Sequence, residues 1–333
     1  MKGIKNILIS RADSIGDVVL TLPMAGVLKK LFPQSTIFFL GKNYTRDVIA
    51  MSKHVDEFIS WDDLSSKNIS EQIEELKNKK IDCMVHVFPK KEIALLGKKA
   101  QIPVRIGTTN RMYHWFSCNK LIKLSRKNSD LHEAQLNLKL LVPLGANENY
   151  SLKEIEEFYG FEKLMPPEEK FSSHLSKEKK NIILHPRSKG SAREWGLENF
   201  SKLISALPKD KFNIFISGTA EEGKDLGSLF KEHSHLTDLT GKLSLSQFIS
   251  FIAQADILVA ASTGPLHIAA ALQKKAIGLF VPMRPIHPGR WAPIGKNAKV
   301  VVINKNCDGC KVAAECACIK EISVEMVLKA INE

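Results

Sequence analysis

The chain has no long hydrophobic run. Its longest apolar stretches, such as Ala276 to Val281, fall far short of the roughly 20 residues that span a bilayer. The first apolar run, Ile7 to Ile9, is followed at once by Arg11 and Asp13, which is not the pattern of a secretory signal. A cytoplasmic protein is expected. Cysteine is scarce too: six in 333 residues are too few for a disulfide scaffold, and a cytoplasmic chain would keep them reduced. Acid is almost missing from one segment. Between Lys90 and Lys127 ten basic residues meet a single acid, Glu92, while the whole chain carries a net charge of +12. Such a segment in the first half predicts an anionic partner, be it nucleic acid, a phospholipid surface or a multiply charged substrate.

What is present is the composition of a soluble globular protein, 44% hydrophobic and 25% charged, with length enough for two ordinary domains. Neither disordered nor collagenous nor coiled-coil chains look like this. Short apolar runs alternate with helical patterns. Ile4 to Ser10, Thr36 to Leu40 and Asp82 to Val87 read as strands, with helices expected over Asp17 to Leu31, Glu71 to Lys79 and Leu131 to Leu141. Arg111 to Leu124 shows no clear period. Tyr159 to Lys180, with Pro166 and Pro167, reads as an exposed linker. Beyond it, strands are expected at Asn181 to His185, Phe212 to Ser217, Asp256 to Val259 and Ala276 to Phe280. The helices between them are Leu197 to Ala206, Glu221 to Phe230, Ser244 to Gln254 and Gly264 to Leu272. This βαβα order implies parallel sheets in two similar α/β domains, 1–170 and 171–333, with ligands met by the loops after the strands.

Three such loops stand out. Arg11-Ala-Asp-Ser-Ile-Gly-Asp17 holds one glycine where a dinucleotide fingerprint needs three. Gly16 suits a tight turn, and Asp17 is placed either to take a proton from a hydroxyl or to favour a helix start; Asp13 fits the role of helix cap better. His185-Pro-Arg-Ser-Lys-Gly-Ser-Ala-Arg-Glu-Trp195 lacks the Gly-Lys-Ser/Thr ending of a P-loop. It still offers Ser188, Ser191, Arg187, Lys189 and Arg193 to a phosphate, or else forms a solvated basic turn. Ala260-Ala-Ser-Thr-Gly-Pro-Leu-His267 runs a strand into a helix through Ser262, Thr263 and Gly264, an arrangement able to hold a diphosphate on free amides. Glu222 could bind ribose hydroxyls or serve as a first-turn helix acid. Late in the chain Cys307 and Cys310 have ligand-like spacing, whereas Cys316 and Cys318 do not; the four read as reduced, partly packed thiols rather than a structural zinc. Cys83 and Cys118 read as lone core residues.

Taken in order, these motifs resemble glycosyltransferase family 9, the heptosyltransferases of lipopolysaccharide synthesis. The matching segments are Ser-Ile-Gly-Asp17, Ile102-Pro-Val-Arg-Ile-Gly107, His132-Glu133, the His185 to Trp195 loop with Glu198-Asn-Phe200, Ser217-Gly-Thr219, Leu239 to Leu245, Ser262 to His267 and the late cysteines. The resemblance implies a GT-B fold: two facing Rossmann-like domains with parallel sheets and an interdomain cleft. It also implies inverting transfer of a heptose from ADP-heptose, without metal or cofactor, to a Kdo-lipid A or heptosylated core acceptor. Asp17 matches the catalytic base. Ser188, Ser191, Arg193, Glu222, Leu243, Ser262, Thr263, Gly264 and His267 match the donor side, and the acceptor falls to Arg105, Arg111, Lys120 and Lys123 in the basic segment. Many members carry an acid where Ser262 stands, which bears on the donor sugar. The implied location is cytoplasmic, peripheral at the inner membrane, with no nucleic-acid partner. The alternatives are a sugar-nucleotide epimerase of the same architecture or a member using another donor sugar.

Overall fold

The computed structural model describes residues 3–126, 129–166, 168–305 and 316–333. The chain divides into two compact units, Met1–Lys163 and Leu164–Glu333. In the first, β1 (Asn6–Ser10), β2 (Thr36–Gly41), β3 (Glu57–Ser60), β4 (Cys83–His86), β5 (Val104–Thr108) and β6 (Lys120–Ile122) form one parallel sheet in the order β3-β2-β1-β4-β5-β6. The second repeats this order with β7 (Lys180–His185), β8 (Phe212–Ile216), β9 (Thr237–Asp238), β10 (Ile257–Ala261), β11 (Lys275–Leu279) and β12 (Lys299–Val301), arranged β9-β8-β7-β10-β11-β12. Both are doubly wound Rossmann orders, so each sheet reverses direction of growth once: between β1 and β4, and between β7 and β10.

Central strands are apolar on both faces because helices cover both. Ile7, Leu8 and Ile9 of β1 are fully buried, as are Ile182, Ile183 and Leu184 of β7. One core gathers Leu8, Phe38, Leu40, Met84 and Leu96; the other gathers Leu184, Trp195, Phe200, Ile216 and Val259. Each fully buried large side chain contributes about 1.5–3 kcal/mol.

Several local expectations change. The helix expected over Asp17 to Leu31 is two, Ile15–Val19 and Pro23–Leu31, because Pro23 has no N–H to continue the first. Glu221 to Phe230 likewise splits, into Ala220–Lys224 and Gly227–Glu232. The aperiodic stretch Arg111 to Leu124 holds the helix Met112–Ser117 and the edge strand β6. Tyr159 to Lys180 is not one exposed linker. Tyr159 is buried and Phe161 bridges Ser52 within the first unit, whereas the carbonyls of Met165 and His174 accept from Ser250 Oγ and Asn213 Nδ2 of the second, each at 2.8 Å.

Candidate active site

In the first unit the loop after β1 is organised around one buried cation. The Arg11 guanidinium meets three carboxylates: Nε donates to Asp13 Oδ1 at 2.7 Å, Nη1 to Glu133 Oε1 at 3.3 Å, and Nη2 to Asp17 Oδ1. The other oxygen of Asp17 accepts from the Ser14 hydroxyl. Glu133, fully buried, also receives Arg126 Nε at 2.9 Å, and Arg126 Nη2 reaches Asn137 Oδ1 at 2.9 Å and the Val87 carbonyl at 3.2 Å, beyond the end of β4. Two guanidiniums thus join the loops after β1 and β4 to the helix Glu133–Lys139, at the point where the sheet changes direction.

Electrostatics follow from this clasp. Burial works against the Arg11 charge, but Asp17, Asp13 and Glu133 outweigh it and hold the guanidinium above its ordinary pKa. Burial pushes the Asp13 carboxyl up to about 6, with Arg11 opposing. Asp17 keeps a side chain 20% exposed, so it is held in one orientation yet open to solvent at the strand ends. Such a carboxylate can take a proton from a hydroxyl that comes within hydrogen-bond reach.

Two expectations for this loop are corrected. Asp13 does not cap the helix: Ser14 is the N-cap, and the Asp13 carboxylate goes to Arg11, since a charged donor outcompetes a backbone amide. Gly16 makes no tight turn, because it lies inside the first turn of Ile15–Val19. Beside the clasp, β4 ends in His86, fully buried opposite Ser10. Neither ring nitrogen of His86 nor the Ser10 hydroxyl has a hydrogen-bond partner among the described residues. Burial pushes His86 down to about 3.

The second unit presents loops at the corresponding edge of its sheet. After β7, the loop to Trp195 folds around Glu194. One oxygen of Glu194 accepts Ser188 N at 2.8 Å and faces Ser188 Oγ at 3.0 Å; the other accepts Arg187 Nη1 at 2.9 Å. Arg187 Nη2 continues to Asp225 at 2.6 Å, and the exposed Ser191 donates to the Ser188 carbonyl at 2.7 Å. Ser188 and Arg187 therefore hold the loop's shape, while Arg193 sits half-buried upon it. Lys189 and Gly190 both take positive φ, and so does Gly196 at the loop's end (51°, 79° and 98°), a backbone that glycine adopts without strain. Trp195, buried, donates its indole N–H to the Ile322 carbonyl at 2.8 Å.

After β8, Thr219 and Glu222 form a capping box: Thr219 Oγ1 accepts Glu222 N at 3.2 Å, and Glu222 Oε2 accepts Thr219 N at 2.7 Å. Glu222 is thus a first-turn helix acid with one oxygen engaged. Leu243, half-buried, precedes Ser244, which caps the helix Leu245–Gln254. After β10, Thr263 is the N-cap of Gly264–Ala271 with Pro265 in the first turn. Its side chain makes no cap hydrogen bond, and its hydroxyl, in a residue only 5% exposed, has no partner among the described residues. The first-turn amides of that helix have no partner within it. Ser262 is half-buried and His267 buried. Amides, a buried hydroxyl and a guanidinium on adjacent loops can hold a diphosphate.

The basic segment divides by role. Arg105 turns inward: Nε donates to the Ser117 carbonyl at 2.6 Å and Nη1 to the Ile102 carbonyl, tying the helix Met112–Ser117 to β5. Arg126 belongs to the Glu133 clasp. Arg111, Lys120 and Lys123 are exposed, and Lys127 lies outside the described residues. Cys83 and Cys118 are buried, their thiols pushed up by burial to about 12 and about 11. Cys316 and Cys318 are buried as well, whereas Cys307 and Cys310 lie outside the described residues. Among the described residues no group of three or more His, Cys, Asp or Glu side chains is placed to hold a metal ion.

Arg11, Glu133, Arg126 and Glu194 lie in segments that the sequence singles out, yet pattern reading assigns none of them a role. A basic residue directly after a buried strand, and a lone acid among three cations, are the signals that single out Arg11 and Glu194.

The architecture is similar to that of the solved ADP-heptose lipopolysaccharide heptosyltransferase II of Escherichia coli. The TM-score is 0.75 at 19% identity, over 98% of this chain and 97% of that one. The fold is GT-B. Residues 70–318 match the model of glycosyltransferase family 9 (heptosyltransferase), and the chain belongs to that family: it is a glycosyltransferase. Among curated relatives, a Haemophilus influenzae protein provisionally described as a glycosyltransferase is 26% identical over 87% of this chain and 86% of its own length. The lipopolysaccharide core heptosyltransferase OpsX of the same organism is 22% identical over 90% of this chain and 84% of its own. Transferase membership sets the epimerase alternative aside.

Proposed function

We propose that the protein transfers a heptose from ADP-heptose to the inner core of lipopolysaccharide, either Kdo-lipid A or an already heptosylated core, with inversion and without a metal. The observation that carries this reading is Asp17, clamped by Arg11 and Ser14 yet open at the strand ends. An acceptor hydroxyl has a high pKa and needs a base in line with the anomeric carbon. Asp17 takes its proton as the oxygen attacks that carbon from the face opposite the diphosphate. The bond from the carbon to the diphosphate oxygen breaks, ADP leaves, and one displacement inverts the centre. Charge growing on the diphosphate is met by the first-turn amides of Gly264–Ala271, the Thr263 hydroxyl and Arg193, with Ser191, Ser262 and His267 close in sequence to them. Glu222 offers its remaining carboxylate oxygen to the ribose, and Leu243 lines the adenine. Ser188 supports the loop. Arg111, Lys120 and Lys123 gather the acceptor's phosphates and carboxylates.

The relatives' descriptions support the choice of donor and acceptor, one solved neighbour being an ADP-heptose lipopolysaccharide heptosyltransferase and one relative a core heptosyltransferase. No described helix is long and apolar enough to cross a membrane, and the protein is read as peripheral at the cytoplasmic face of the inner membrane. Ser262 favours a second reading, a donor sugar other than heptose, since many family members carry an acid there. Incubation with a panel of ADP- and UDP-sugars and purified lipid A cores, followed by mass spectrometry, tests both. A heptose mass added from ADP-heptose alone, undiminished by EDTA, is the expected result; transfer of another sugar would select the second reading.

A further inference from the structure

The helix Met112–Ser117 exposes the wrong residues for a surface in water. Met112 is 76% exposed, Trp115 61% and Phe116 69%, and the i, i+3, i+4 spacing puts all three on one face. The opposite face is sealed: His114 and Ser117 are fully buried, and His114 Nδ1 is bonded to the Thr108 backbone. The helix is also rigidly mounted. Arg105 ties its last turn to β5, and the Trp115 indole donates to the Thr109 carbonyl at 2.9 Å, which fixes that ring in its outward position. Exposed cations surround it: Arg111 at its start, Lys120 and Lys123 on and after the next strand, and Lys91, Lys98 and Lys99 on the neighbouring helix Lys91–Lys99. None of these six has an ion-pair partner among the described residues, and the one acid of the segment is the exposed Glu92.

We infer that this face is a membrane-docking element which seats Met112, Trp115 and Phe116 in the headgroup layer of an anionic bilayer, with the neighbouring Lys91, Lys98 and Lys99 on the lipid phosphates. Apolar side chains with an amphipathic indole and a cationic fringe fit an interface of apolar depth and negative surface charge. Single-stranded nucleic acid, which also takes aromatics among cations, needs a groove that tracks its backbone; here the aromatics project from an outer helix face. The inference rests on the reading of a lipid-anchored acceptor and adds where the lipid surface is met.

The test uses the whole chain with vesicles of phosphatidylcholine, alone or with about a third phosphatidylglycerol. Co-sedimentation is expected with the anionic vesicles only, together with quenching of tryptophan fluorescence by brominated lipid. The double variant Met112→Ser, Phe116→Ser keeps Trp115 as reporter. It is expected to lose at least about tenfold in vesicle partitioning, as the loss of two buried apolar side chains implies, while ADP affinity and turnover of a deacylated, water-soluble acceptor stay unchanged. No sedimentation of the wild type, unaltered partitioning of the variant, or binding of an oligonucleotide that the same variant abolishes would each overturn the inference. Vesicle binding by a protein that transfers no sugar to either acceptor would leave docking intact and sink the functional reading instead.

Discussion

The two units share a strand order and a crevice position but fill the crevice with opposite chemistry. After β1 stand side-chain charges: one buried guanidinium holding three carboxylates, with Asp17 facing outward. After β7 and β10 stand backbone amides, a buried hydroxyl and a half-buried Arg193. On the proposed function, the same topology yields a proton acceptor in one half and an anion holder in the other. What differs is whether charge at the strand ends is carried by side chains, which must be balanced inside the fold, or by peptide dipoles, which need no counter-ion. A fold duplicated in one chain is free to specialise in this way because the sheet fixes only where a ligand binds.

Removing the cation should do the greatest damage. Arg11→Met leaves buried Glu133 and half-buried Asp13 without that partner and is expected to cost about 3–5 kcal/mol of stability. Chemical denaturation measures it, and a loss under about 1 kcal/mol would mean that the clasp is ornamental. Asp17→Asn should fold normally yet lose at least about a hundredfold in turnover, the scale of a general base. Near-normal turnover would take the proton-accepting role from the first unit. In the second, Arg193→Ala should weaken ADP binding by about 1.5–3 kcal/mol by calorimetry, without altering the melting temperature; unchanged affinity would move the diphosphate elsewhere.

Histidines at the ends of central strands sharpen the contrast. His185 bonds to Ser217 Oγ at 3.0 Å, whereas His86 has no hydrogen-bond partner among the described residues. With the folded value of His86 at about 3 and its ordinary value at 6.5, the fold favours the neutral ring. That preference is fully present above pH 6.5 and is lost as pH falls toward 3, by about 1.4 kcal/mol per pH unit. His86→Phe should flatten the acid limb of stability against pH, and an unchanged limb would place acid sensitivity elsewhere. Smallest is the effect at Thr263. Its hydroxyl is buried with no partner among the described residues, so Thr263→Val should leave the free protein as stable or slightly more so. It should weaken ADP binding by about 0.5–1.5 kcal/mol, the worth of one hydrogen bond. Loss of stability without loss of affinity would make Thr263 part of the scaffold alone.

Much of the fold is legible in the residues, for a physical reason. β1, β2, β4, β7, β8, β10 and β11 are buried on both faces, so each leaves a short apolar run, and their expected limits differ from the observed ones by only a residue or two. The edge strands β3, β6, β9 and β12 span two to four residues and are half solvated; they leave no such mark. Loop positions after strands can be read as well, which is why Asp17 and Thr263 stand out. Partnership cannot. Arg11 and Glu133 lie 122 residues apart, and no local pattern says that Asp13 answers to the guanidinium rather than to the helix. Nor does the run Arg187, Lys189, Arg193 disclose that Glu194 claims the first of them.

The indole of Trp195 has a consequence in time. Its hydrogen bond reaches a carbonyl 127 residues further along, and Asn199, one turn on, bonds the Lys320 carbonyl at 3.0 Å. The loop proposed to receive the nucleotide is therefore finished only by residues translated more than a hundred positions after it. The residues of the clasp after β1 described above all lie at or before Asn137. As the polypeptide leaves the ribosome at about 5–20 residues per second, the first unit can close its Arg11 clasp well before the second can complete the loop from His185 to Trp195. For those seconds the nascent chain holds the clasp of its first half closed while the loop of its second half still lacks the contacts that fix it.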